Sequence, residues 1–141
     1  MPPAPIRRVL ETALYTEDLA AANLFYGGVL GLERIAFVEG RHLFFRCGDG
    51  IVLIFDRRST ASVPTSVNGS PVPLHTASGA GHVALAVADA ELAAWRAHLA
   101  ASGVAIESEV TWPRGGKSLY VRDPAGNSVE LASPLLWGLE E

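Results

Sequence analysis

The sequence predicts an α+β fold of two βαβββ modules, on three observations. Gly81-His-Val-Ala-Leu85 repeats the pattern of Leu10-Glu-Thr-Ala-Leu14, placing His82 on Glu11. The stretch Ser118–Ser133, centred on Asp123-Pro-Ala-Gly-Asn127, has a weaker copy at Leu43–Phe55, centred on Gly48-Asp-Gly50. An Ala-rich segment with helical spacing follows the first strand of each copy. A repeat that spans strand, helix and hairpin is a stronger signal than any single motif. Neither half can cover its own sheet on both faces. The modules are therefore expected to pair about a pseudo-twofold axis, with the sheets forming a cupped half-barrel and the helices outside.

The first module occupies about residues 7–56. From Arg8 to Thr16 the pattern has period two, with Leu10, Thr12 and Leu14 opposing Glu11, Ala13 and Tyr15. Asp18 offers an N-cap for a helix over Leu19–Leu30, weakened by the Gly27-Gly28 pair and stopped by Gly31. Strands are predicted near Glu33–Val38, His42–Cys47 and Ile51–Asp56, separated by Glu39-Gly40 and Gly48-Asp49-Gly50. Residues 57–80, rich in Ser, Thr, Pro and Gly, read as a loop or linker.

The second module covers about residues 81–133. Its first strand is followed by Asp89 as the next N-cap and a helix over Ala90–Ser102, with Leu92, Trp95 and Leu99 on one face. Strands follow near Val104–Glu109, Lys117–Val121 and Asn127–Ser133, with the Thr111–Gly116 loop as an insertion relative to the first module. The tail, 134–141, is apolar enough to dock against the body of the protein.

Composition narrows the function classes. The 141 residues fit one domain and are 49% apolar and 18% charged, which argues against disorder. A formal net charge of −4 disfavours nucleic acid or an anionic membrane as partner. No apolar run is long enough to span a bilayer, and the N-terminus lacks the layout of a signal peptide, so a cytoplasmic location is expected. The single cysteine, Cys47, reads as a partly buried, inert thiol.

Strand parity points to candidate site residues. In the strands around 82 and 130, Val83, Leu85, Val129 and Leu131 mark the faces that pack on helices. The opposite faces carry His82, Ala84 and Ala86, and Ser128, Glu130 and Ala132. Glu11 lies beside Ala13 in the same way. Small residues next to ionisable ones leave room for a ligand, and two carboxylates with an imidazole suit a metal ion. Solvated or internally hydrogen-bonded side chains are the other reading of the same residues. In a gapless alignment of the two hairpins, Arg46 falls on Arg122 and Ile54 on Glu130, so only one copy carries a ligand. Equivalent arginines suggest structural ion pairs.

The chain resembles the vicinal oxygen chelate superfamily, which includes glyoxalase I, bleomycin- and fosfomycin-resistance proteins and extradiol dioxygenases. The resemblance rests on Thr16-Glu-Asp-Leu19, Phe25-Tyr26, Val29-Leu-Gly-Leu32, Gly81-His-Val-Ala-Leu85 and Tyr120-Val-Arg-Asp-Pro-Ala-Gly-Asn127 with Glu130. It implies a divalent metal (Mn²⁺, Zn²⁺, Mg²⁺, Ni²⁺ or Fe²⁺) held by Glu11, His82 and Glu130, with Ile54 at a fourth position that cannot ligate. Glu11 and Glu130 are the expected catalytic carboxylates. Glu11 stands where many relatives have histidine, which weakens a dioxygenase reading. Tyr15, Trp112, Arg114, Lys117 and Tyr120 are candidates for the substrate pocket. The expected function is a metal-dependent lyase, isomerase or transferase acting on a small oxygen-bearing substrate. The alternative is a metal-free protein that sequesters a small molecule or antibiotic. A homodimer is expected, with the cup built within one chain or across two.

Overall fold

A computed structural model describes residues 1–141. Two four-stranded sheets dominate it, each ordered first, fourth, third and second of its own strands along the chain. The first contains β1 (Glu11–Thr16), β2 (Glu33–Val38), β3 (His42–Cys47) and β4 (Gly50–Asp56). The second contains β7 (His82–Ala86), β8 (Ser108–Thr111), β9 (Lys117–Arg122) and β10 (Ser128–Ala132). In each sheet the first strand lies parallel to the last, and the remaining pairs are antiparallel. The matching orders realise the predicted βαβββ repeat.

Register fixes which residues are equivalent. Glu11 pairs with Ile51 and Ala13 with Leu53, while His82 pairs with Ser128 and Ala84 with Glu130. Glu11 and His82 are therefore equivalent, as expected. Leu53, not Ile54, is the counterpart of Glu130. The gapless alignment failed at the turn: Cys47–Gly50 separate the paired residues Arg46 and Ile51, whereas Asp123–Asn127, one residue more, separate Arg122 and Ser128. Ile54 is instead a core residue, 1% exposed.

The helix α1 (Leu19–Asn23) is capped by the Asp18 carboxylate, which accepts from the Ala21 N–H at 3.0 Å. It continues into a wider π-helical segment over Leu24–Val29, where the Gly27-Gly28 pair weakens the α-helical preference. The adjacent residues Phe25 and Tyr26 are both buried there. The second helix predicted within a module, here α3 (Leu92–Ala101), begins later than expected, after a 3₁₀ turn over Asp89–Glu91. Asp89 does not cap it through its side chain. Its backbone N–H donates to Glu141 Oε1 instead. Strand β8 also starts late, because Val104 and Ile106 pack against the core before pairing begins.

The predicted linker is more structured than its composition suggested. It holds a short helix, α2 (Arg57–Ser62), capped by the Asp56 carboxylate through the Arg58 N–H. A small hairpin follows, β5 (Thr65–Val67) and β6 (Ser70–Val72). Its Asn68-Gly69 turn has positive φ at both residues, the geometry for which that dipeptide is suited.

A cluster of 17 buried apolar residues draws on both modules, combining Phe25, Tyr26, Phe45 and Ile54 with Leu99, Leu119, Val121 and Leu131. Burial of such side chains contributes about 1.5–3 kcal/mol each relative to exposure. The Asp123–Asn127 turn fastens the modules together. Asp123 Oδ2 accepts from the Tyr26 hydroxyl at 2.6 Å, and Asn127 Nδ2 donates to the Tyr15 carbonyl at 3.2 Å. Asn127 Oδ1 accepts from the Gly81 N–H at 2.8 Å. Gly81 must be small here, since a Cβ would lie 3.1 Å from Leu14 Cδ2 and 3.2 Å from Asn127 Oδ1.

Candidate functional site

A groove of about 750 Å³ opens on the second sheet, on the face away from the shared core. His82, Ala84 and Ala86 of β7, Tyr120 of β9, and Glu130 and Ala132 of β10 line its floor. Period-two alternation places them together, while Val83, Leu85, Val129 and Leu131 belong to the core cluster. The alanines leave the space that the groove occupies.

Glu130 is almost fully enclosed, with a side chain 7% exposed, whereas His82 is about half exposed. Ser118 donates its hydroxyl to Glu130 Oε2 at 2.6 Å, and Trp112 Nε1–H donates to Ser118 Oγ at 2.8 Å. Oε1 lies 3.4 Å from His82 Nε2. On the other side of the imidazole, Nδ1 is 3.1 Å from the Ser128 carbonyl. A carbonyl only accepts, so Nδ1 carries a proton, and Nε2 is the nitrogen turned toward Glu130. The Tyr120 ring lies alongside His82, with centroids 6.3 Å apart. Burial raises the Tyr120 phenol pKa, and the neighbouring Glu130 carboxylate adds to the shift.

Of the residues predicted from the sequence, His82, Glu130, Tyr120, Trp112 and Arg114 line this groove. Glu11, Tyr15 and Lys117 do not. Glu11 is exposed on β1, in the other sheet, and no three His, Cys, Asp or Glu side chains within the chain come close enough to share a metal ion. The three expected ligands are thus not brought together within one chain, Glu11 lying on the first sheet and His82 and Glu130 on the second. Tyr15 hydrogen-bonds His75 Nδ1 at 2.6 Å in an aromatic group on the first sheet with Phe55. The Lys117 side chain is exposed at the start of β9. Arg46 and Arg122 make the expected ion pairs, with Glu33 and Glu107. Burial pushes the Cys47 thiol pKa up, consistent with an inert thiol.

Sequence reasoning missed Ser118, although its parity with Tyr120 on β9 marks it as groove-facing. It also missed how the tail contributes. Ser133, Pro134, Leu136, Trp137 and Leu139 form one wall.

Residues 8–131 match the Glyoxalase/Bleomycin resistance protein/Dioxygenase superfamily. The chain belongs to that superfamily. Lactoylglutathione lyase from Agrobacterium tumefaciens is 40% identical, with 96% of this chain and 100% of that one covered at a TM-score of 0.89. A glyoxalase/dioxygenase from Nostoc punctiforme is 25% identical, with 94% of each chain covered and a TM-score of 0.68. A glyoxalase/bleomycin resistance protein/dioxygenase from Nocardioides, 21% identical, shares the fold at a TM-score of 0.69, with 92% of this chain and 85% of that one covered. No match was found among curated proteins. No helix is long and apolar enough to cross a membrane.

Members of this superfamily commonly use divalent metals. The donor set fits such an ion, with the His82 Nε2 nitrogen beside a buried carboxylate whose far oxygen is held by Ser118.

Proposed function

We propose that this glyoxalase-superfamily protein is a divalent-metal-dependent enzyme of lyase, isomerase or transferase type. Its substrate is a small molecule with two neighbouring oxygens. His82 and Glu130 of one chain hold the metal together with Glu11 of a second copy in a homodimer. The observation that carries this reading is the His82–Glu130 pair, with its ring and carboxylate orientations both fixed by hydrogen bonds. Two further features support it. Glu11 is the repeat-equivalent of His82, and the first sheet leaves Ile35, Phe37 and Val38 exposed, available to face another chain.

When bound, the metal would supply Lewis-acid polarisation of a substrate oxygen. The residues of the chain have separate tasks. The Ser128 carbonyl accepts from Nδ1 and orients the His82 ring. Ser118 orients Glu130, and the apolar walls offer a surface for the rest of the substrate. Glu11, exposed at the start of β1, would be the carboxylate that leaves the metal to exchange a proton with substrate.

The relative named lactoylglutathione lyase supports a lyase assignment, and the absence of a three-donor cluster within one chain favours metal-free sequestration as the second reading. Metal analysis of protein purified without chelator separates them. Stoichiometric divalent metal, with a rise in melting temperature on adding Mn²⁺, Zn²⁺ or Ni²⁺, is expected. No bound metal and no thermal shift would leave sequestration as the function.

A further inference from the structure

We propose that the groove takes a substrate with a flat, apolar body, seated against Trp112 and Trp137, its oxygen-bearing end toward His82 and Glu130. This names the substrate class for the site proposed above and rests on that placement of the site. Beyond the His82–Glu130 end, the lining is Pro134, Leu136, Trp137 and Leu139 on the tail and Trp112 on the opposing loop. Trp137 and Leu139 are 74% and 61% exposed, so large apolar surfaces face the groove without protein cover. A concave apolar site with a few convergent polar groups is the usual form of a small-molecule pocket. Arg114 is the one lysine or arginine in the lining, which also carries the Glu130 carboxylate. A substrate bearing several carboxylates would find little to pair with them.

The tail is a built wall, not a loose end. Ser133 Oγ accepts from the Leu135 N–H at 3.2 Å and starts a 3₁₀ turn over Pro134–Trp137. Gly138 ends that turn at φ 68°, and the Leu139 N–H returns to the Pro134 carbonyl at 3.2 Å. Glu141 then fastens the segment. Its Oε1 accepts from Ser133 Oγ at 2.6 Å and from the Asp89 N–H at 2.9 Å. The Trp112 loop is seated directly on this wall at Gly116. A Cβ there would lie 3.0 Å from Leu136 N, and φ is 78°. Both tryptophan-bearing segments are thus fixed relative to one another, and a preorganised site loses less entropy on binding.

Calorimetric titration of the whole chain with 2,3-dihydroxynaphthalene and with catechol tests this directly. The two share their vicinal oxygens and differ in the size of the flat body. The naphthalenediol is expected to bind at least about tenfold more tightly, a reasonable return for the added apolar contact. Trp137→Ala, at a position 74% exposed, should abolish the preference, with an unchanged melting temperature showing that the variant is folded. The same titrations after chelation keep the two proposals apart. A preference that survives metal removal supports the apolar seat even if the protein proves metal-free. Equal binding of the two diols would overturn the inference. So would a Trp137→Ala variant with unchanged preference but altered oligomeric mass, which would assign this wall to a second copy of the chain.

Discussion

Ser118 and Glu130 are joined by a 2.6 Å hydrogen bond that uses one carboxylate oxygen and leaves the other facing His82. The bond lies between neighbouring strands, and Trp112 completes it by donating to Ser118 Oγ. A surface loop thereby sets the direction in which a buried carboxylate points.

Ser118→Ala should disturb this arrangement twice, leaving both Trp112 Nε1 and Glu130 Oε2 unpartnered. The expected stability loss is about 1–3 kcal/mol. Metal affinity should fall about 10- to 100-fold, the usual consequence of losing a partner that orients a ligand. Metal titration alongside urea denaturation measures both effects.

Tyr26→Phe tests the join between modules. The Tyr26 hydroxyl donates to the buried Asp123 carboxylate, which also accepts from the Ala125 and Asn127 N–H groups. Burial raises the Tyr26 pKa far above the ordinary range, with Asp123 adding to the shift, so it remains a donor at any working pH. Removing it should cost about 1.5–3 kcal/mol in urea denaturation. Metal content should be unchanged, since neither residue lines the groove.

The fold was legible where residues repeat a pattern and obscure where local geometry breaks it. His82 and Glu130 could be placed in one groove because period two in β7 and β10 leaves no other face for them. The Glu130 counterpart was misread because one extra residue in the Asp123–Asn127 turn shifts the register by a full side-chain flip. The Asn68-Gly69 hairpin was hidden by Ser- and Pro-rich surroundings, although the dipeptide itself is a turn signal. Glu11 could be matched to His82, but no pattern within one sequence tells on which side of a chain boundary a strand will face its partner.

Stability should depend on Asp56 in acid. The Arg58 side chain hydrogen-bonds this carboxylate and holds its pKa below the ordinary range, with burial opposing the shift. The folded-state pKa is therefore lower than the unfolded one, near 4. The stabilisation is fully present above that value and is lost as pH falls through the lower folded-state pKa. Asp56→Asn keeps a capping side chain but removes the charge. It should cost about 1 kcal/mol or less at pH 7, given the exposed arginine, and the difference should shrink toward pH 3 in thermal melts.

The central claim, that Glu11 of one chain completes the His82–Glu130 site of another, is tested most directly by co-expressing two defective chains. Glu11→Ala and Glu130→Ala should each lack tightly bound metal when expressed alone. In a mixed dimer, one of its two sites pairs an intact Glu11 with an intact His82 and Glu130. With random pairing, metal should return to about a quarter of all sites, as a twofold-symmetric assembly requires. Failure of the co-expressed pair to bind metal, when the unmodified protein does, would contradict a site shared between chains.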